Sequence, residues 1–187
     1  MNPVRKMKII VAMDVDAGIG KNGNLPWALK KDMKFFADTT KHVMDSTKRN
    51  AIVMGRKCWE SIPEKRKPLP GRLNVVLSRS QPEKIEDNLI FVNDFDKMMN
   101  LLSSEPYKSQ IETIWNIGGA EIYQMALDKE LVNEMYVTHI YKKYDTDVSL
   151  STIDFSKYER LKLQDDENTS NVVEENGVRF EFCRWKV

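Results

Sequence analysis

The 187 residues contain only two cysteines, Cys58 and Cys183, and two histidines, His42 and His139. That is too few for a disulfide framework, and no C-x-x-C pair or histidine cluster supplies metal-ligand spacing; a reducing cytosol is therefore the expected compartment, with no metal. Long apolar runs are equally scarce. The stretch from Ile9 to Met13 is stopped by Asp14, far short of a signal h-region or a membrane span, so no membrane partner is expected and the mature chain is expected to start here. Neither sign of charge prevails: 29 Lys and Arg face 28 Asp and Glu, and a net charge of +1 exerts no general attraction on nucleic acid or anionic lipid. Repeats and linkers are missing as well, which makes residues 1–187 one expected domain.

What is present suffices for a sizeable core, since 41% of positions are hydrophobic and 30% charged. The balanced total hides one uneven stretch. Residues 48–79 hold nine basic side chains against Glu60 and Glu64, a local charge of +7 that leaves −6 for the rest.

Apolar runs at 7–13, 51–54, 73–77, 89–92, 111–117 and 135–141 read as strands, most of them buried on both faces. Helices are predicted between them. One covers 28–39, where Leu29, Met33, Phe36 and Ala37 share a face at 3.6-residue spacing. Another follows Asp94 as N-cap and carries Phe95, Met98, Met99 and Leu102, and a third covers 120–127. Alternating segments at 158–164 and 178–187 flank an acidic stretch closed by Asn176-Gly177, a hairpin signal. The expected class is α/β: a mostly parallel central sheet with helices on both faces and an antiparallel C-terminal hairpin. Ligands of such sheets sit at the carboxyl ends of the strands, here the segments after Met13, Met54, Leu77 and Ile117.

Gly18, Gly20 and Gly23 match the dinucleotide fingerprint G-x-G-x-x-G, but the context is wrong. That motif turns directly from strand into helix, whereas here Leu25-Pro26-Trp27 follows where the helix should already run. Residues 14–26 read instead as a long functional loop whose glycines permit positive φ. Gly118-Gly119, between a strand and a helix, is a better phosphate site, because bare backbone N–H groups can approach an anion at the positive helix end. Gly55-Arg56-Lys57 and Ser78-Arg79 add fixed charge at two further strand ends. For any single Lys or Arg a solvated surface is the ordinary reading; three such strand ends in one sheet favour a ligand with several phosphates. Asp32 lies beside the apolar face of the first helix, where either a solvent-facing carboxylate or a functional one would fit. Trp27, alone, reads as core.

Together these residues resemble dihydrofolate reductases, in the family's order and over essentially the whole chain. The matching pieces are Ile10-Val11-Ala12, Gly18 to Gly23, Leu25-Pro26-Trp27, Asp32, Phe36, Met54-Gly55-Arg56, Trp59 to Pro63, Pro68 to Arg72, Leu77-Ser78-Arg79, Ile117-Gly118-Gly119 and Val137-Thr138. The resemblance implies reduction of 7,8-dihydrofolate to tetrahydrofolate, with hydride from NADPH reaching C6 and a proton reaching N5. It also implies sensitivity to antifolate inhibitors and a cytoplasmic monomer. Asp32 would hold the pterin's 2-amino group and N3, backed by Thr138, with Trp27 organising a water. Ala12, Met33, Phe36, Ser61, Ile62, Leu69 and Ile117 would line the folate and nicotinamide pocket, and Arg72 would pair with the α-carboxylate of the glutamate tail. Cofactor contacts would come from Ala12, Ile19, Gly20, Gly55, Arg56, Lys57, Cys58, Leu77, Ser78, Arg79 and residues 117–123: Ile117, Gly118, Gly119, Ala120, Glu121, Ile122 and Tyr123. The glycine loop would be a mobile flap.

Some positions depart from the family's common patterns. Cys58 stands where many members carry a Thr that meets the pyrophosphate. Asp32 is the shorter carboxylate of bacterial forms, and Asn93 replaces a basic residue of vertebrate forms near the 2′-phosphate. Two other readings remain open on the sequence: a non-catalytic binder of a polyphosphate nucleotide, and a reductase of a different pteridine or pyrimidine intermediate, for which Arg72 would have no carboxylate tail to meet.

Overall fold

The computed structural model describes residues 3–163 and 171–187. Strand β1 (Met7–Met13) is followed by β2 (Gly18–Gly20), α1 (Lys30–Lys41), β3 (Arg49–Gly55), α2 (Arg56–Ser61), β4 (Arg72–Leu77), β5 (Lys84–Ile85) and β6 (Leu89–Val92). Then come α3 (Phe95–Leu102), α4 (Tyr107–Gln110), β7 (Ile111–Asn116), α5 (Ala120–Asp128), β8 (Val132–Ile140), β9 (Val148–Ser149), β10 (Glu159–Leu161), β11 (Val172–Glu175) and β12 (Val178–Lys186).

Ten strands form one sheet, ordered β10-β12-β8-β1-β7-β3-β4-β6-β5, with β11 also paired to β12. The six inner strands from β8 to β6 are parallel, and β12, β10, β11 and β5 pair antiparallel at the margins. The period of two along a strand explains the layers. Ile9 and Val11 of β1 point into a core with α3 and α5, while Ile10 points the other way, toward Phe35 and Phe36 of α1 and Trp59 of α2. Helices thus cover both faces, as the alternation predicts. Asp94 caps α3 by accepting from the Lys97 N–H at 2.8 Å, and Phe95, Met98, Met99 and Leu102 are all buried.

Two sequence expectations are corrected. Helix α1 begins at Lys30, two residues later than its periodicity suggests, and its apolar face is only partly covered: Phe36 packs against the cluster around Ile10, but within the helix only Thr40 is buried, and Met33 stays 49% exposed. That face is a cavity wall, where the same spacing serves a different purpose. The C-terminal hairpin is β11–β12, with Asn176 and Gly177 both at positive φ, so part of the supposed acidic connection is a strand. Segment 158–164 instead supplies β10, which pairs with the far end of β12; its last residue and the rest of the acidic stretch, 164–170, lie outside the described residues.

Candidate active site

The carboxyl ends of β1, β3, β4 and β7 open on one side of the sheet into a cavity of about 1870 Å³. A pocket for one drug-sized molecule takes roughly 300–1,000 Å³, so this cleft has room for two ligands side by side. Helix α1 walls one side, α2 and the segment after it the other, and α5 starts at its floor. Every residue the sequence singles out for a site lines this cavity except Trp27 and Gly118.

Asp32 sits in the first turn of α1 and accepts a hydrogen bond at Oδ1 from the Thr138 hydroxyl of β8, 2.7 Å away. Burial pushes its carboxyl above the ordinary Asp value; Thr138 opposes that shift, and the charge of Glu175 adds to it. No hydrogen bond to Oδ2 exists among the described residues, leaving one acceptor oxygen for a ligand. Nearby, Ala12, Met33, Phe36, Ile62, Leu69 and Ile117 supply an apolar lining.

Arg72 is the opposite pole. Its side chain is only 3% exposed; Nε donates to Pro70 O and Nη1 to Thr40 Oγ1, each at 2.9 Å. Burial lowers its pKa, and among the described residues no carboxylate lies within ion-pair distance. A buried cation without a protein counter-charge, facing a cleft, is suited to a ligand carboxylate held bidentately.

At the floor, the chain passes from β7 through Ile117, Gly118 and Gly119 into α5. The Gly118–Gly119 peptide is cis. Gly118 has φ +95, its N–H donates to Asn116 Oδ1 at 3.0 Å, and its carbonyl accepts from Gly55 N at 2.8 Å. The place where a Cβ would stand is occupied by the Tyr123 ring at 2.7 Å, so Gly118 shapes the floor from behind without lining it. Gly119 differs. A Cβ there would meet nothing within 4 Å, and the residue faces the cavity at the N-cap of a nine-residue helix, an open backbone approach for an anion. Tyr123 is itself fixed, donating from its hydroxyl to Ile10 O at 2.8 Å.

Several of the expected site residues already have protein partners. Trp27 packs edge-on to Tyr144, away from the lining, with its Nε1 buried and without a protein acceptor. The Cys58 thiol is pushed up to about 11 by burial and donates to Ile117 O at 3.7 Å, so its hydrogen is used. Ser78 is 3% exposed, with its hydroxyl near Ser80 and the Gln81 N–H, and Arg56 pairs with Glu60 at 2.9 Å. Arg79 remains 87% exposed, 3.8 Å from Glu121. The glycine loop is no dinucleotide turn: Gly18–Gly20 pairs antiparallel with Val148–Ser149, ten residues before α1 begins.

Some determinants escape sequence reasoning. Asp14 Oδ1 accepts from the N–H groups of Asp16 and Gly18, and Oδ2 from that of Tyr144, pinning the base of the glycine loop. Asn74 bonds Leu69 through both its N–H and its carbonyl, which fixes the wall beside Arg72. Asn50 donates to the carbonyls of Thr40 and His42 at the end of α1. Each looks like an ordinary polar residue in the sequence; a polar side chain inside an apolar strand, for Asn50 and Asn74, or directly after one, for Asp14, is the available signal.

The comparisons agree with this architecture. A family model described as Dihydrofolate reductase matches residues 6–186. A Caenorhabditis elegans protein named "Putative dihydrofolate reductase" is 56% identical over 185 residues, covering 98% of each chain. A Sus scrofa dihydrofolate reductase is 36% identical over 96% of each. The solved structure of Schistosoma mansoni dihydrofolate reductase superposes with a TM-score of 0.85 at 35% identity, covering 99% of this chain and all of that one. Fold and cleft are those of an oxidoreductase of folate metabolism. The chain belongs to the dihydrofolate reductase family.

Proposed function

We propose that the protein reduces 7,8-dihydrofolate to 5,6,7,8-tetrahydrofolate with NADPH, hydride going to C6 and a proton to N5, in support of thymidylate and purine synthesis. The observation that carries this reading is Asp32, whose carboxylate is the one in the cleft lining that is not exposed, braced by Thr138 at one oxygen and open at the other. A carboxylate in that place accepts paired N–H groups from a pterin edge, orients the ring and favours its protonated form.

The residues at the floor fit the cofactor. Gly119 and Ala120 offer bare backbone at the start of α5, Gly55 and Lys57 open from β3, and Arg79, exposed beside Glu121, offers a guanidinium beyond β4 to the cofactor's 2′-phosphate. NADPH, when bound, supplies the hydride. The chain's own residues then bind, orient and exclude water: Ala12, Ile19, Gly20, Ile117 and Tyr123 enclose the reacting rings, Leu77 meets the cofactor beside Arg79, and Met33, Phe36, Ser61, Ile62 and Leu69 hold the folate. Trp27 Nε1, buried without a protein acceptor, is the donor that an ordered water would satisfy. The reading needs no residue beyond those of this cleft, in keeping with a monomer whose single catalytic domain spans 1–187, and the free Cys58 and Cys183 are in keeping with the cytoplasm. Antifolates would compete for the same carboxylate.

The direct test follows NADPH absorbance on adding 7,8-dihydrofolate and then a tail-less dihydropterin. Oxidation with neither would leave a nucleotide binder in place of a reductase. Arg72→Lys should raise KM for dihydrofolate at least tenfold while leaving the tail-less pterin unaffected, because an ammonium cannot reproduce the guanidinium fork. Equal losses for both substrates would make Arg72 scaffold. NADPH should be preferred over NADH, and Arg79→Ala should cut that preference by about tenfold, the effect of one solvent-screened charge-assisted contact. Equal use of the two cofactors by the parent protein would contradict the assignment of Arg79 to the cofactor's 2′-phosphate.

A further inference from the structure

Helix α1, which carries Asp32, has no cap of its own. Its N-cap is Leu29, which makes no side-chain hydrogen bond to the exposed N–H groups of the first turn. The missing acceptor comes from the other end of the chain. Glu175, the last residue of β11, places Oε2 2.7 Å from the Lys30 N–H and Oε1 2.9 Å from the Lys31 N–H. The next residue along the helix is Asp32. Through β12, which pairs Phe182 with Thr138, the same hairpin is joined to the strand whose threonine holds Asp32 from the opposite side. The site carboxylate therefore lies in a closed circuit: Thr138 on β8, Asp32 on α1, Glu175 on β11, and back through β12.

We propose that Glu175 is a positioning residue for the reaction, clamping the first turn of α1 so that Asp32 stays against Thr138 and faces the pterin as a carboxylate of set orientation and charge. The inference rests on the role of Asp32 given above. Glu175 works twice: as a bidentate acceptor it fixes the helix start, and as an anion it offsets the positive helix end that would otherwise hold the Asp32 carboxyl lower. Among the described residues, the charged groups facing the pair are Lys30 and Lys31 of α1, while β8 presents the uncharged Thr138. The repulsion between Glu175 and Asp32 acts in the direction recorded for Asp32, whose carboxyl is raised mainly by burial.

The test compares the parent with Glu175→Gln, Glu175→Asp and Asp32→Asn, reading the pH dependence of kcat/KM for dihydrofolate, the titration of the Asp32 carboxyl by carbon NMR, and Tm. Glu175→Gln removes the charge and keeps one acceptor oxygen. It should move the acidic limb of kcat/KM, and the Asp32 titration with it, to lower pH, and cost about three- to tenfold in kcat/KM at neutral pH. Added salt should shrink the displacement. Glu175→Asp retains the charge with a shorter reach and should leave the limb in place. A Glu175→Gln titration superimposable on the parent's, with or without a fall in Tm, would reduce Glu175 to a helix cap and overturn the inference while leaving the function intact. Full activity in Asp32→Asn would instead overturn the functional reading itself.

Discussion

Gly118→Ala is expected to cost both stability and cofactor binding, with Tm falling by roughly 6–12 °C, the equivalent of about 3 kcal/mol in a protein of this size. Two effects add. At φ +95 a Cβ is strained by about 1–3 kcal/mol, and the new methyl would stand 2.7 Å from the Tyr123 ring. That ring cannot retreat, because it is buried in the core and its hydroxyl is bonded to Ile10 O. The loop must move instead, breaking the Gly55 N–H bond to Gly118 O and lifting Ile117 and the start of α5 out of line. Since these elements form the floor of the cleft, kcat/KM should fall by about a hundredfold, as misplacement by an ångström can do. Gly119→Ala is the control. Its Cβ meets nothing in the protein, so most of the parent's Tm should remain while NADPH affinity drops, because the methyl points where the cofactor should lie. A Gly118→Ala protein with the parent's Tm and KM would show that the Tyr123 contact does not define the floor.

This contrast marks the limit of what the sequence discloses. Gly118-Gly119 is legible as a pair at a strand-to-helix junction, but which glycine faces the ligand depends on the path of the chain and on where Tyr123 packs. The inner strands are legible because their apolar runs leave no alternative to burial on both faces, and β1 is found with its observed bounds. Helix α1 shows why periodicity misleads about purpose: the same spacing that buries a face in the core here presents Met33 and Phe36 to a cleft. Strand β11 is hidden because its four residues include two glutamates, and its pairing comes from β12 rather than from its own composition. The capping role of Glu175 is invisible for the same reason, since 143 or more residues separate it from the N–H groups that it accepts.

Asp32→Asn should fold, gain stability at neutral pH and lose at least about a hundredfold in turnover, the scale of a positioned proton-handling group. The stability gain follows from the raised carboxyl. Because burial lifts the folded-state value above the ordinary 3.8, the parent loses stability as pH rises from there through the folded value, and the ionised carboxylate stays costly above it. Asparagine does not titrate, so its advantage over the parent should grow across that window, level off above it and vanish in acid, as denaturant unfolding at several pH values would show. The amide oxygen can still accept from Thr138, which preserves the helix's attachment to β8. What it cannot do is accept both N–H groups of a pterin edge or stabilise the ring's positive charge. N5 must then be protonated from solution, and the variant's rate should climb as pH falls, whereas the parent should hold its rate to higher pH. Binding of dihydrofolate should weaken less than turnover, because Arg72 and the apolar lining are untouched. If the asparagine variant kept its rate at pH 7, or showed no rise on acidification, the proton at N5 would owe nothing to Asp32.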